Sequence, residues 1–183
     1  MLIGASTGGP GHLKKIFSNL DSSINVPIVV AQHMNPVFIS SFVKQFNDEM
    51  PFDFYAVDSN HGIKKGSIYI CSTHCRLNIL YNSVELQVDN SVNSHYNPSI
   101  DNLFKSAVKL CKTYDVLAIL LTGIGSDGAS GLSELQIEGA NTIAESKESA
   151  IVFGMPKKAF ELNSNIEVMH LNEIIKFVKK FTK

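Results

Sequence analysis

Two uninterrupted apolar runs, Val26 to Ala31 and Val116 to Leu121, limit the folds open to this chain. Both are far shorter than the roughly 20 residues a bilayer-spanning helix needs. Neither has a polar side, so each predicts a strand covered on both faces, as in a parallel sheet flanked by helices. Each run passes into a polar or glycine-rich loop, and the residues beyond it are apolar at helical spacing.

A third junction of the same kind opens the chain, where Leu2-Ile3-Gly4-Ala5 leads into Ser6-Thr7-Gly8-Gly9-Pro10. Leu13, Ile16, Phe17 and Leu20 then recur at helical spacing, with Lys14 and Lys15 outside. The run Val26 to Ala31 ends in Gln32-His33-Met34-Asn35-Pro36 before a predicted helix from Val37 to Phe46, and the run Val116 to Leu121 in Thr122-Gly123-Ile124-Gly125-Ser126-Asp127-Gly128 before a helix from Ala129 to Glu138. Between them, Phe52 to Val57 reads as a short alternating strand followed by a turn at Asn60-His61-Gly62, and Ser67 to Cys71, Leu77 to Tyr81 and Val84 to Val88 read as strands joined by short polar turns, predicting antiparallel hairpins at one edge of the sheet. Pro98 opens a helix running to Cys111. Thr142 to Ala144 and Ile151 to Phe153 are extended, a short helix follows Pro156, and a last helix begins at Leu171. The expectation is one α/β domain over residues 1–183: a doubly wound, mostly parallel sheet with helices on both faces and an antiparallel edge hairpin.

Parallel strands place their C-terminal ends on one side, so Ser6, His33 and Asp127 are expected to meet at one rim. A serine hydroxyl is a weak nucleophile until an imidazole takes its proton, and the imidazole needs a carboxylate to fix its tautomer and stabilise its charged form. The order Ser, His, Asp differs from the Ser, Asp, His order of α/β-hydrolases. Other readings of the same residues stand beside this one. The Gly8-Gly9 turn suits a helix cap or a phosphate cradle, although the Gly-Lys-[Ser/Thr] ending of a P-loop is absent and a G-x-G-x-x-G fingerprint cannot be laid over Gly4 to Gly11. His12, His61, His74, His95 and His170 are further imidazoles, and Asp127 within Gly-Ser-Asp-Gly can serve as a turn-former.

Charge narrows the partners. Sixteen Lys and Arg against seventeen Asp and Glu leave a net charge of -1, with Arg76 the sole arginine, so neither a nucleic-acid surface nor a phosphate clamp is indicated. Cys71, Cys75 and Cys111 read as reduced cytosolic thiols; Cys71-Ser72-Thr73-His74-Cys75 resembles a metal corner but lacks a second ligand pair. No secretory signal is visible. The expectation is a cytoplasmic monomer with no cofactor, metal or membrane span.

Five stretches in order, Gly4 to Gly9, Gln32 to Met34, Asn97 to Asp101, Leu121 to Gly128 and Val152 to Pro156, resemble the successive signatures of the catalytic domain of the chemotaxis protein-glutamate methylesterase family, CheB. The resemblance implies hydrolysis of glutamate γ-methyl esters on the cytoplasmic helices of methyl-accepting chemoreceptors, releasing methanol, with deamidation of receptor glutamines as a second activity. It carries the nucleophile, base and orienting carboxylate onto Ser6, His33 and Asp127. The oxyanion donor falls on the backbone N–H of Ile124, where the family usually has methionine, and Thr7 matches a hydroxyl that helps hold the histidine. Most members also carry an N-terminal receiver domain and linker that cover the cleft; none is expected within residues 1–183, which is consistent either with an excised catalytic domain or with a receiver-less member that is constitutively open or regulated otherwise.

Overall fold

A computed structural model describes residues 1–81 and 83–183. The strands are β1 (Leu2–Ala5), β2 (Ile28–Gln32), β3 (Asp53–Val57), β4 (His61–Gly62), β5 (Ser67–Cys71), β6 (Cys75–Leu80), β7 (Ser83–Val88), β8 (Leu117–Leu120), β9 (Asn141–Glu145) and β10 (Glu167–Met169). The helices are α1 (Gly9–Phe17), α2 (Pro36–Glu49), α3 (Ile100–Ala107), α4 (Ala129–Ile137), α5 (Met155–Leu162) and α6 (Leu171–Phe181). Seven strands form the main sheet in the order β10-β9-β8-β1-β2-β5-β3, every neighbouring pair parallel.

Side chains of the central strands alternate between two cores. Leu2, Val29, Ala118 and Leu120 face Ile100, Phe104, Leu132 and Ala159 of α3, α4 and α5. Ile3, Val30, Ile119 and Ile143 face Leu13, Phe46 and Ile174 of α1, α2 and α6. Because both faces of the strands are buried, the unbroken apolar runs read from the sequence are what this sheet demands.

The antiparallel strands depart from the expected placement. β4, β7 and β6 form a separate three-stranded sheet packed on the α3 side, while Ser67–Cys71, expected in a hairpin, belongs to the parallel sheet as β5, inside it between β2 and β3. All of β5 is buried. Its Tyr69 is admitted because the hydroxyl reaches the backbone, accepting from Lys64 N–H at 3.0 Å and donating to the Gly62 carbonyl at 3.4 Å. The small sheet is tied to α3 by Leu77 N–H to Ser106 Oγ (2.8 Å) and Asn102 Nδ2 to the Cys75 carbonyl (2.9 Å).

Helix α3 starts later than Pro98 predicts. Ser99 is its N-cap, accepting Asn102 N–H, and the last turn tightens into a 3-10 segment over Val108–Lys112. Helix α1 begins at Gly9, where the chain leaves β1 through Gly8 at φ 84°, a left-handed turn that favours glycine. The strand order reverses at β1: the chain runs out through β2, then returns to the other side of β1 at β8. In doubly wound sheets the crevice at such a switch point, beyond the strand C-termini, is where ligands bind.

Candidate active site

Three loops meet at that crevice. Ala5 and Gln32 are paired across β1 and β2, so Ser6 and His33 each lie one residue past a matched pair, on strands about 4.8 Å apart. His33 N–H donates to the Ala5 carbonyl at 2.9 Å, and on the other side of β1, Ser6 N–H donates to the Thr122 carbonyl at 3.0 Å. Serine, histidine and the Thr122–Gly128 loop are therefore laced together by the continuation of the sheet's own ladder.

Asp127 receives the imidazole. His33 Nε2 lies 2.8 Å from Asp127 Oδ2, with both side chains nearly withdrawn from solvent. Two backbone N–H groups at the start of α3 donate to the same carboxylate, Ile100 to Oδ2 at 2.7 Å and Asp101 to Oδ1 at 2.9 Å, and the Ser99 hydroxyl donates to Oδ1 at 3.3 Å. A helix N-terminus is thus aimed at an anion. Burial pushes the Asp127 carboxyl up, but the His33 hydrogen bond and the Asp101 and Ile100 N–H groups outweigh it, and its pKa falls below the ordinary value. Neighbouring Asp101 moves the other way, raised by burial and by the Asp127 charge despite accepting Gly131 N–H.

With Nε2 committed to the carboxylate, Nδ1 is the nitrogen left to take a proton, the reverse of the arrangement in serine proteases. The ring is held flat against Tyr96, centroids 5.0 Å apart and planes 13° from parallel. The Ser6 hydroxyl itself makes no hydrogen bond among the described residues. A serine turns about a single bond, and hydrogen bonds of this kind commonly tighten only when substrate is in place.

The Gly123-Ile124 peptide lies directly against Ser6: a Cβ on Gly123 would stand 2.6 Å from Ser6 Cβ. Ile124 is exposed, and its N–H has no acceptor among the described residues. Thr7 is exposed and its hydroxyl makes no hydrogen bond to His33; what it contributes is its carbonyl, which accepts the Thr122 hydroxyl at 2.8 Å. Thr122 is in turn fixed from behind by Glu145, fully buried, whose Oε2 accepts Thr122 N–H at 2.9 Å and meets His12 Nδ1 at 3.1 Å.

Tyr96, Ser99, Thr122, Glu145 and His12 carry no roles in the sequence reading. Ser99 and Asp101 lie in one of the recognised motifs, which was the available signal; a stacking tyrosine and a buried Glu–His pair leave no local pattern. Hydrogen bonding with Cys75 and burial push the Cys71 thiol well up, and His74 Nδ1 is occupied by Ser99 N–H at 3.0 Å. Among the described residues no group of three or more His, Cys, Asp or Glu side chains is placed to hold a metal ion.

All five sequence signatures converge on this rim, the last through Gly123 N–H to the Val152 carbonyl at 3.0 Å and Met155 N–H to the Gly123 carbonyl at 2.9 Å. The family model described as CheB methylesterase matches residues 1–178. The chain belongs to the CheB methylesterase family. Among CheB relatives, the protein-glutamate methylesterase/protein-glutamine glutaminase of Bacillus subtilis (strain 168) is 36% identical over 176 residues, covering 94% of this chain and 49% of the relative. That of Treponema denticola is 33% identical over 184 residues, covering 99% and 49%. The chain therefore spans about half the length of the curated relatives it matches. The crystal structure of the Thermotoga maritima CheB methylesterase catalytic domain superposes with a TM-score of 0.89 at 31% identity, covering 98% of this chain and 96% of that one. The doubly wound architecture is thus the fold of a CheB catalytic domain, and no helix among the described residues is long and apolar enough to cross a membrane.

Proposed function

We propose that residues 1–183 form a catalytic domain that hydrolyses glutamate γ-methyl esters on the cytoplasmic helices of methyl-accepting chemoreceptors, and deamidates receptor glutamines by the same route. The observation that supports it is the His33–Asp127 pair at the sheet's switch point, one strand from Ser6, in a chain of the CheB family. As Ser6 Oγ attacks the ester carbonyl carbon, its proton passes to His33 Nδ1. The imidazolium formed is stabilised by Asp127, whose depressed pKa keeps it ionised near neutrality. The carbonyl oxygen becomes an oxyanion facing the unengaged Ile124 N–H. Collapse breaks the bond to the methoxy oxygen, which leaves as methanol with the proton from His33. Water then repeats the sequence on the acyl-serine, releasing glutamate and restoring Ser6. With a glutamine substrate the leaving group is ammonia. The same reading makes the domain a cytoplasmic monomer, with Thr7 supporting the site through its carbonyl contact with Thr122.

Methanol release from methylated receptor membranes tests this. Ser6→Ala is expected to lower it by on the order of 10⁶-fold, with circular dichroism and thermal midpoint unchanged. A Ser6→Ala protein retaining turnover near the parent's rules out the acyl-serine route.

A further inference from the structure

Among the described residues a single buried side-chain polar atom lacks a hydrogen-bond partner, Oε1 of Gln32. Buried polar groups in folded proteins are nearly always paired, so an exception asks for a reason. Gln32 ends β2 and is 1% exposed. Its Nε2 donates twice, to the Ser6 carbonyl at 3.0 Å and to the His33 carbonyl at 3.0 Å. Two carbonyls require the amide nitrogen between them, which fixes the orientation of the group and turns Oε1 toward Gly9. A Cβ on Gly9 would stand 2.1 Å from that oxygen, so glycine at this position is what admits the carboxamide.

Backbone pairing does not require both of these bonds. The Ser6 carbonyl already accepts Gly9 N–H at 2.8 Å, so the amide's bond to it pairs a group that has a partner without it. What the amide does is join the peptide planes of two residues on separate strands, and with them the Cα–Cβ directions of the hydroxyl and the imidazole. Taking Ser6 and His33 as nucleophile and base, we propose that Gln32 is a positioning residue that sets their spacing, its carboxamide held in place at the expense of an unpaired oxygen. It touches no reacting atom and acts through the two residues that do.

Gln32→Met tests this, because it keeps the volume while removing both donors and the unpaired acceptor. Loss of alignment is expected to lower kcat for methanol release on the order of 10- to 100-fold. KM should stay within about twofold, since substrate binding is untouched, and the thermal midpoint within about 2 °C. The labelling rate of Ser6 by a fluorophosphonate, followed by mass spectrometry, should fall in parallel, a readout that needs no receptor. Gln32→Asn, one methylene short, should behave likewise if the methionine variant melts early. Parent-like kcat and labelling in either folded variant, or activity lost only in step with unfolding, overturns the proposal. Failure of the methylesterase reading is separate, appearing in the parent protein as absence of methanol release while labelling still ranks the variants.

Discussion

Replacing Asp127 with asparagine probes the point where helix, carboxylate and imidazole meet. Oδ2 takes His33 Nε2 and Ile100 N–H; Oδ1 takes Asp101 N–H and the Ser99 hydroxyl. An asparagine must present its NH2 to one of these pairs. Facing Oδ2's partners, it orphans Ile100 N–H and forces His33 into the tautomer with a bare Nε2; facing Oδ1's partners, it orphans Asp101 N–H. One buried donor loses its acceptor in either orientation, worth about 1–3 kcal/mol, and α3 loses an anion at its N-terminus, worth about 0.3–1 kcal/mol and more when buried. The expected destabilisation at pH 7 is therefore about 1–4 kcal/mol. In the first orientation turnover is expected to fall by on the order of 10³–10⁴, the usual effect of leaving a triad histidine in the wrong tautomer, and in the second it falls through loss of the charge that stabilises the imidazolium. The pH dependence supplies a sign. Asp127's pKa is depressed in the folded protein, so the folded chain binds fewer protons than the unfolded chain does; its contribution is complete above the ordinary aspartate range and is lost as pH falls through the native value. The substituted amide has nothing to titrate, so the stability gap between parent and Asp127→Asn should shrink as the pH falls below about 4. Urea unfolding by circular dichroism at several pH values, with methanol release at pH 7, reads both quantities. A variant as stable as the parent at pH 7, or a gap that is constant into acid, refutes this account of the carboxylate.

Two further substitutions probe close contacts. Gly123→Ala puts a methyl 2.6 Å from both Ser6 Cβ and Met155 Sδ, so the loop must shift; a loss of about 1–3 kcal/mol with a collapse in kcat is expected by thermal melting and methanol assay, and an active, stable Gly123→Ala protein would show that the peptide has freedom not evident in the packing. Thr122→Val deletes the hydroxyl that donates to the Thr7 carbonyl and accepts Val152 N–H, expected to be destabilising by about 1–3 kcal/mol, while Thr122→Ser should restore most of both stability and turnover.

The residues whose positions could be read from the chain were those whose placement follows from strand direction alone. Ser6, His33 and Asp127 each lie in the loop that follows a buried run, and parallel pairing then brings them to one rim whatever their distance in sequence. Position within the sheet was harder, because Ser67-Ile68-Tyr69-Ile70-Cys71 carries polar atoms on one face and so looks like a half-exposed hairpin strand. Tyr69 conceals the difference, its ring buried while its hydroxyl reaches the Gly62–Lys64 backbone. The supporting residues were illegible for a related reason. Tyr96 against His33, and Glu145 beneath Thr122, are contacts between elements tens of residues apart, made by residue types that are equally at home on a surface or in a cap. Gln32 stood in full view beside His33, yet its task depends on a missing side chain at Gly9, which no pattern around position 32 announces.

The attachment of the three-stranded sheet to α3 divides that sheet into two unequal regions. Around Cys75 to Leu77 it grips the helix whose first turn cradles Asp127, and His74 grips the cap of that helix, so length changes there would be felt at the base. At the far end of β6, Leu80 and Tyr81 are exposed and take no part in those ties. Insertions, tags or whole appended modules placed toward that outer end are expected to leave methanol release near the parent's, whereas the same additions at Cys75 to Leu77 are expected to lower it.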